Sequence, residues 1–370
     1  MKVIILANND IGLYKFRKEL LEELLHPGSY LKGRKANSCE VYISLPNGKL
    51  ISDLTKMGCQ FVDTPIDRHG VNPKTDLKLL KEYSRILKRI NPDMVFSYTI
   101  KPNIYGGLVC AAKNVPYICN ITGLGTAVEN RGWLQFITLF LYRFALRKVK
   151  TVFFQNAANE EFFTKHNLSL GKHKMLPGSG VNLEFYKQVP YPKGNTIEFA
   201  FIARIMKEKG IDQYLDAAKE IHRKYPYTKF HICGFCEQDY QEQIRKLEKN
   251  GIIIYHGLVK DMREIYAKIH CIIHPTYYPE GLSNVLLEAA ASARPAITTN
   301  RPGCREVVTD GENGYFVNEK DSKDLIKKIE KFINLSWGEK EHMGVLSRKK
   351  VEREFDRKIV VKKYIEELQK

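Results

Sequence analysis

Two glutamates flank a predicted helix start in the second half of the sequence. Glu280 stands directly before the run GLSN at 281–284, and Glu288 lies two turns into the helix that this run opens. Ser283 or Asn284 can cap such a helix, whose first amide groups then point away from the protein. A helix start preceded by small residues binds anions readily. The stretch therefore predicts a phosphate site with a carboxylate on each side to accept hydrogen bonds from neighbouring hydroxyl groups, although glutamates at this spacing also occur on solvated helix faces.

A basic loop supplies positive charge for such an anion. It follows a predicted strand at 197–203, reads RIMKEKG from Arg204 to Gly210, and enters a predicted helix at 211–224. Arginine contacts phosphate through paired hydrogen bonds, and lysine acts as a compact point charge. Such cations can neutralise a diphosphate without a divalent ion, and the sequence contains no Asp-x-Asp metal motif.

The alternation of strand, loop and helix along the chain indicates an α/β protein with parallel sheets. The strand predicted at 3–7 is an uninterrupted apolar run, as expected for a sheet covered on both faces. Polar loops predicted at 8–12 and 99–103 would lie at the carboxyl edge of the sheet, where ligands bind. The first loop is not GxGxxG, so no dinucleotide is predicted. Further strands are predicted at 41–45, 61–63, 94–98, 117–121, 151–155, 229–233, 252–256 and 271–274.

The chain is long enough for two domains and strongly basic. It has 370 residues and a formal net charge of +17. Most of the excess lies in residues 1–180, which contain 26 Lys and Arg against 14 Asp and Glu. Nucleic acid, an anionic membrane or a phosphorylated substrate would each be attracted by this charge. No zinc-finger spacing or RNP-like segment is present, so nucleic acid is not expected as a partner.

The cysteines and apolar runs bear on the compartment. Eight scattered cysteines, several in predicted strands, indicate reduced thiols in a cytosolic protein. Cys233 and Cys236 form a CxxC pair, but no second Cys or His pair completes a metal site, so we interpret the pair as structural. No window of eighteen uncharged apolar residues predicts a spanning segment. The first residues read as a buried strand rather than a signal peptide.

The segment at 133–150, WLQFITLFLYRFALRKVK, predicts a helix that is apolar nearly all round and basic at its end. Two interpretations remain open. The helix can be buried as a packing element, or it can lie at a membrane interface, since apolar and basic residues together favour anionic lipid surfaces. One helix could also do both. The breaker-rich run LPGSGVN at 176–182 predicts a hinge, after which the strand–helix pattern restarts.

These residues together resemble glycosyltransferase family 4. The resemblance rests on Arg204, on Lys209-Gly210, on the run EGLSNVLLEA that begins at Glu280, and on PGCRE at 302–306. It covers nearly the whole chain and is strongest over 174–317. The family consists of retaining, nucleotide-sugar-dependent enzymes with the GT-B fold, in which two Rossmann-like doubly wound α/β domains face each other across a cleft. The resemblance implies an acceptor-binding domain at 1–180, a nucleotide-sugar-binding domain at 181–357, and a helix at 358–370 that packs back on the first domain.

The resemblance also implies roles on the donor side. Arg204 and Lys209 would bind the donor diphosphate and neutralise the charge that grows on it, and Glu280 would lie beside the donor sugar. These three are the predicted catalytic residues. Glu288 would accept hydrogen bonds from ribose hydroxyls. The predicted donor-binding residues are Gly12, Gly178, Arg204, Lys209, Gly257, Val259, Glu280, Gly281, Leu282, Ser283, Asn284 and Glu288.

Segments of the first half resemble a bacterial subgroup that adds N-acetylgalactosamine or similar sugars to polyprenyl-diphosphate-linked glycans. They are IGLYKFR at 11–17, DRHG at 67–70, YTIKPNIYG at 98–106 and NITGLG at 120–125. The predicted acceptor-binding residues are Arg17, Arg68, His69, Lys101, Thr122 and Gly123. Many relatives carry a histidine near the donor sugar. This sequence has none there, so Asn120, Thr122 or the amides at 123–125 would replace it, and the acid/base group stays open.

The predicted function is transfer of a sugar, an N-acetylhexosamine, from a UDP-sugar to a polyprenyl-diphosphate-linked saccharide for capsule, O-antigen or N-glycan assembly. We expect a cytoplasmic protein, peripheral on the inner face of the cell membrane, with an anionic membrane surface as a further partner and no metal or other cofactor. Two alternatives remain. One is a UDP-N-acetylhexosamine 2-epimerase, and the other is a catalytically silent protein that anchors another transferase to the membrane.

Overall fold

The computed structural model describes residues 1–33, 36–67, 70, 72–125, 128 and 132–369. In the first half, seven short strands form one parallel sheet in the order β3-β2-β1-β4-β5-β6-β7. The strands are β1 (Lys2–Leu6), β2 (Glu40–Leu45), β3 (Gln60–Asp63), β4 (Met94–Tyr98), β5 (Tyr117–Ile121), β6 (Thr151–Phe154) and β7 (Lys172–Met175). The helices are α1 (Asp10–Leu25), α2 (Ile51–Lys56), α3 (Pro73–Ile90), α4 (Gly107–Lys113, after a π-helical turn at Pro102–Gly106), α5 (Trp133–Ala145) and α6 (Ala157–Lys165).

The second half repeats the pattern with a six-stranded parallel sheet in the order β10-β9-β8-β11-β12-β13. Its strands are β8 (Ile197–Ile202), β9 (Thr228–Cys233), β10 (Ile253–Gly257), β11 (Cys271–His274), β12 (Ala296–Thr299) and β13 (Gly314–Val317). Its helices are α7 (Ile211–Lys224, after a 3-10 turn at Lys207–Lys209), α8 (Gln241–Lys249), α9 (Arg263–Lys268), α10 (Asn284–Ala291), α11 (Ser322–Ile333) and α12 (Trp337–Glu354). The last helix is α13 (Arg357–Leu368).

Both sheets reverse their strand order once, which makes them doubly wound. The reversal falls between β1 and β4 in the first sheet and between β8 and β11 in the second. In such sheets the crevice beyond the carboxyl ends of the strands at the reversal is the usual ligand site. The residues that follow β8 and β11 are therefore the first to consider for binding in the second half.

Apolar cores cover both faces of the first sheet. Along β1, Val3 and Ile5 belong to one core while Ile4 and Leu6 belong to the other, because successive side chains of a strand point to opposite faces. Helix α13 completes the first of these cores through the buried ring of Tyr364. Burial on both faces explains why the strands read as continuous apolar runs.

Internal contacts divide the chain into two compact units. Unit 1 comprises Met1–Gly180, Pro279–Leu282 and Arg357–Lys370, and unit 2 comprises Val181–Tyr278 and Ser283–Asp356. The sequence interpretation had assigned all of 181–357 to one domain, but the four residues Pro279–Leu282 have their contacts in unit 1. This short excursion carries Glu280, so unit 1 side chains determine the position of that residue.

Three local predictions differ from the structure. The predicted loop at 8–12 is shorter, because Asn9 caps α1 and Gly12 lies in its first turn, donating its amide to Asn9 Oδ1 at 2.6 Å. Lys101 is in a helical turn rather than a loop. Helix α5 ends at Ala145, so the basic residues at 147–150 follow the helix instead of forming its last turn. None of the helices in the described parts of the chain is long and apolar enough to cross a membrane.

Candidate active site

Arg204 and Lys209 lie on the same aromatic ring in unit 2. Arg204 follows β8, and Lys209 ends the 3-10 turn before α7. The Arg204 guanidinium carbon is 5.2 Å from the centre of the Tyr278 ring, and Lys209 Nζ is 4.7 Å from it. Gly210 lets the turn that carries Lys209 pack closely against Pro275, three residues before Tyr278. Gly210 has φ +80°, and a Cβ there would be 2.2 Å from the carbonyl oxygen of Pro275.

A carboxylate that sequence reasoning missed orients Arg204. Nη1 of Arg204 donates to both carboxylate oxygens of Glu237, at 2.7 and 2.6 Å. Burial alone would lower the pKa of Arg204, but hydrogen bonding with Glu237 and Tyr278 raises it above its ordinary value. The side chain therefore stays charged, and it is only half-buried beside Glu237, so an incoming phosphate could contact it.

The first turn of α10 contains amide groups that make no hydrogen bond in the described part of the chain, and Ser283 does not form the predicted cap. Ser283 is the N-cap residue, yet its hydroxyl makes no capping bond and lies 3.2 Å from His274 Nε2. The amide of Ser283 donates to the carbonyl of Gly303 at 2.8 Å. The amides of Asn284, Val285 and Leu286 donate to no acceptor within the described residues. Three aligned donors at a helix N-terminus favour an anion.

A hydrogen bond from the buried Tyr266 orients the carboxylate of Glu288. The hydroxyl of Tyr266 donates to Glu288 Oε2 at 3.1 Å. Burial, and then the Glu288 charge, raises the pKa of Tyr266 well above its ordinary value, so this hydroxyl remains a donor. Gly257 ends β10, the edge strand of the same sheet, with φ +59°, and Val259 lies in the segment that follows this strand.

Glu280 is positioned by the end of β6. The side-chain amide of Asn156 donates to the carbonyl of Gly281 at 2.6 Å and approaches the carbonyl of Glu280 at 3.3 Å. A Cβ on Gly281 would lie 2.3 Å from the carbonyl oxygen of Thr122 and 2.4 Å from Gln155 Oε1. Only glycine allows the segment to lie this close. Neither Asn156 nor Gln155 was predicted, because they are about 125 residues away in sequence and carry no motif of their own.

Three other predicted residues of unit 1, Thr122, Gly123 and Gly178, adjoin the Glu280 segment. A Cβ on Gly123 would be 3.2 Å from the amide nitrogen of Gly281, and one on Gly178 would be 2.6 Å from Leu282 Cδ2. Gly12 belongs instead to the first turn of α1, as described above.

The side chains of Arg17 and Lys101 contact other residues of unit 1. Arg17 is buried, with its guanidinium carbon 4.8 Å from the centre of the Tyr98 ring. Lys101 Nζ forms a 2.6 Å ion pair with Asp76, which lines a cavity of about 670 Å³ between α3 and residues 65–67. Their acceptor-side roles stay predictions. Arg68 and His69 lie outside the described residues.

The structure thus brings the predicted residues together in two sets. Glu280, Gly281 and Leu282 sit beside Thr122, Gly123 and Gly178 in unit 1. The cations, the α10 amides and Glu288 belong to unit 2. In the sequence, Glu280 of the first set is two residues from Tyr278 and three from Ser283, which belong to unit 2. In the part of the chain that the structure describes, no group of three or more His, Cys, Asp or Glu side chains could hold a metal ion.

Two doubly wound parallel sheets, with a cationic turn after β8 and an open helix start after β11, define the class of α/β proteins that bind phosphorylated nucleotides. Comparison with known families specifies the class further. Residues 184–350 match the family described as "Glycosyl transferases group 1", and residues 25–156 match "Glycosyl transferase 4-like". The chain belongs to this glycosyltransferase family, as the sequence resemblance implied.

Relatives of known description share most of their length with the chain. N,N'-diacetylbacillosaminyl-diphospho-undecaprenol alpha-1,3-N-acetylgalactosaminyltransferase of Campylobacter jejuni is 24% identical, covering 89% of this chain and 88% of the relative. The capsular polysaccharide biosynthesis glycosyltransferase CapM of Staphylococcus aureus is 26% identical over 79% of this chain and 82% of its own.

Solved structures confirm the predicted GT-B fold. A glycosyltransferase from Rickettsia africae superimposes with a TM-score of 0.78 at 17% identity, covering 99% of this chain and 97% of that one. Anabaena HepE in complex with UDP and glucose gives a TM-score of 0.78 at 15% identity, covering 100% and 99%. At such identities the likeness concerns the fold.

Proposed function

We propose that this glycosyltransferase moves an N-acetylhexosamine from a UDP-sugar, with retention, to a polyprenyl-diphosphate-linked saccharide in bacterial surface-glycan assembly. The observation that carries the donor assignment is the pair of cations on Tyr278 together with the three unused amides of α10. The Anabaena relative bound to UDP supports the choice of nucleotide. The Campylobacter and Staphylococcus relatives, whose names give an undecaprenol-diphosphate acceptor and capsule synthesis, support the acceptor and the pathway class.

The proposed chemistry is charge stabilisation on the leaving diphosphate. As the glycosidic bond breaks, negative charge grows on the diphosphate, and Arg204, Lys209 and the α10 amides stabilise it. Such preorganised groups act more strongly on the transition state than on the ground state. Glu288 accepts hydrogen bonds from the ribose hydroxyls, and Glu280 holds hydroxyls of the donor sugar and favours positive charge at the anomeric carbon.

Neutralisation by protein cations makes a divalent ion unnecessary in this proposal. Two side-chain cations and three amide donors address one diphosphate, which matches its charge. We therefore expect transfer to continue at an unchanged rate in EDTA, measured against the same enzyme with added Mg²⁺. A rate that falls tenfold or more on chelation would contradict the assignment of this role to Arg204 and Lys209.

Single substitutions test the site. We expect Arg204→Ala, Lys209→Ala and Glu288→Ala each to lower the rate of transfer from UDP-N-acetylgalactosamine to a polyprenyl-diphosphate-linked saccharide. The loss should be about 100-fold to 1,000-fold for each cation, with circular dichroism unchanged. Arg223→Ala is the matched control, because Arg223 is an exposed arginine of unit 2 paired with a glutamate one turn away. Rates that match this control would remove the mechanism.

Two further measurements separate the alternatives. An epimerase would convert UDP-N-acetylhexosamine without any acceptor, but the matched families describe glycosyltransferases. A silent anchoring protein would show no UDP-sugar binding by calorimetry. We further propose that the enzyme works peripherally on the inner face of the cell membrane, where a lipid-linked acceptor would be presented.

A further inference from the structure

Helix α5 exposes a row of aromatic side chains. Trp133, Phe136, Phe140 and Phe144 are 76%, 67%, 51% and 43% exposed. Their spacing of three, four and four residues places them on one face of the helix, over a length of about 16 Å. We call these four residues the aromatic row. Thr138, Tyr142 and Ala145 of this helix are buried, and Leu139 and Leu141 pack against the core, so α5 packs on the protein through one face while the aromatic row is exposed.

An exposed apolar face of this extent marks an interaction surface. Isolated exposed apolar residues are ordinary, but contiguous ones are rare on a soluble surface because each ring costs free energy in water. The rings of Phe140 and Phe144 are already in contact, with centroids 4.8 Å apart. The face is therefore contiguous at its carboxyl-terminal end, and it ends beside the basic residues that follow the helix.

Charge around the row identifies the kind of partner. Residues 132–150, which contain α5 and the segment after it, include four Lys and Arg and no Asp or Glu. Arg143, Arg147 and Lys148 are exposed at the end of α5, and we call them the basic rim. Both Arg143 and Lys148 are anchored by hydrogen bonds, to the carbonyl of His166 and to Asn114. A positive rim beside an apolar row complements a surface that is anionic outside and apolar within.

We propose that the aromatic row and the basic rim dock the chain on an anionic lipid surface. Tryptophan and phenylalanine rings partition to the boundary between headgroups and acyl chains, and lysine and arginine at the same level bind acidic headgroups. The inference rests on the proposed function, which takes a lipid-linked acceptor, and adds the surface that brings the enzyme to it. Docking leaves α5 parallel to the membrane plane without spanning it.

Vesicle flotation of the full chain tests this docking, with neither donor nor acceptor present. We expect binding to phosphatidylglycerol–phosphatidylcholine vesicles and much weaker binding to phosphatidylcholine alone. The double variant F136S/F140S should lower partitioning to anionic vesicles tenfold or more, because both rings lose their apolar contact. The double variant R147Q/K148Q should lower it about 30-fold at low ionic strength, and this difference should vanish in high salt.

Matched variants on unit 2 control for lost apolar area and lost charge. Tyr227→Ser removes an exposed aromatic ring, and R223Q/K249Q removes two exposed positive charges. Both should bind vesicles like the unaltered chain. Failure of the chain to float with anionic vesicles would overturn the proposal. So would equal binding by all variants, or a lipid-free dimer that F136S/F140S abolishes.

Calorimetry with a UDP-sugar on the same proteins keeps the two proposals apart. If docking fails but the proposed function holds, the chain binds the donor and transfers to a detergent-solubilised acceptor without floating. If the proposed function fails, vesicle binding persists while donor binding and transfer are absent.

Discussion

Gly281 has no room for a side-chain carbon, and this restricts the position of the neighbouring Glu280. An alanine methyl group there would meet the carbonyl oxygen of Thr122 at 2.3 Å and Gln155 Oε1 at 2.4 Å. The backbone carbonyl cannot rotate away, so the segment bearing Glu280 has to shift. Because misplacement of a catalytic group by about 1 Å costs on the order of 100-fold in rate, we expect Gly281→Ala to lower kcat by about that factor.

The control for Gly281→Ala is Gly338→Ala. Gly338 lies in the first turns of α12 with open space where a Cβ would go. Alanine there should leave kcat unchanged and stabilise the fold by about 0.5 kcal/mol through helix propensity. The rationale for Gly281 would be refuted by G281A turning over like G338A.

Asn156 performs two tasks that one substitution can separate. Its Oδ1 caps α6 by accepting from the amide of Asn159 at 2.9 Å, and its Nδ2 donates to the Glu280 segment. Aspartate keeps the cap, which favours negative charge, but turns the donor into a second acceptor facing two carbonyl oxygens. We expect Asn156→Asp to lower kcat tenfold or more, with a small change in the thermal midpoint.

The same exchange at Asn72 provides the comparison. Asn72 caps α3 through a 3.0 Å bond from the amide of Lys74, and its side chain is exposed. Asn72→Asp should leave both kcat and the thermal midpoint unchanged. A N156D enzyme as active as N72D would mean that the donor bond does not position Glu280.

Motif residues could be predicted at this scale, but their partners could not. Arg204, Lys209, Glu280 and Glu288 are predicted because the chemistry of phosphate and hydroxyl binding restricts residue type and spacing, and their roles stay predictions. Glu237, Tyr266, Tyr278 and Asn156 orient those residues through tertiary contacts, and a single sequence carries no signal for such contacts. Ser283 shows the reverse case, since a cap favoured by local rules is displaced by its contact with His274.

At the scale of elements, α13 is attached to unit 1 by a buried ion pair. Nη1 of Arg357 lies 2.7 Å from Glu19 Oε2, and both side chains are almost fully buried. The same guanidinium donates to the carbonyls of Ser179 and Gly180. Removing one partner leaves the other charge buried and unpaired, which costs about 3–5 kcal/mol. We expect Arg357→Met to lower the free energy of unfolding by that amount in urea titrations.

An exposed arginine of the preceding helix supplies the reference for that measurement. Arg353 pairs with Glu354 at the surface, where such pairs contribute roughly 0–1 kcal/mol. Arg353→Met should therefore be nearly neutral. Equal losses from R357M and R353M would show that the Glu19 pair does not hold α13.

Helix and strand cores were predictable, and their ends were less so. The apolar runs of β1 and β4 predicted buried strands because burial on both faces leaves no alternation to confuse the pattern. The start of α1 was placed late, although Asn9 before Asp10 is an N-cap signal. The helical turn at Lys101 was missed because a following proline usually favours extended backbone, whereas here Pro102 occupies the first position of a π-helical turn.

At the scale of the whole molecule, the repeated strand order was implicit in the alternation of elements, but the exchange of Pro279–Leu282 was not. These four residues belong to unit 1 although the residues on either side belong to unit 2, and no difference in composition marks the boundary. The reason is the lateral packing of Gly281 against Thr122 and the Asn156 bond, which depend on folded geometry. The fold class therefore followed from periodicity, whereas the membership of this segment in unit 1 required the structure.

The pH dependence of stability should report on a buried histidine of unit 2. His270 Nδ1 accepts the amide of Glu198 at 3.1 Å, which requires the neutral ring, and burial lowers the pKa of His270 to about 4. The unfolded chain binds this proton below about pH 6.5, while the folded chain excludes it until about pH 4. Stability from this group is complete above pH 6.5 and falls as the pH decreases towards 4, by about 3 kcal/mol in total.

Asparagine at position 270 isolates this contribution from general acid unfolding. The Asn oxygen can accept the Glu198 amide and does not titrate, so His270→Asn should flatten the curve of unfolding free energy against pH between 6.5 and 4. The same substitution at His342, which is exposed on α12, should leave the slope unchanged. Urea titrations at half-unit pH intervals measure both slopes. If H270N and the unaltered chain lose stability in parallel, the proton is taken up elsewhere, and the buried ring is not what limits this unit at low pH.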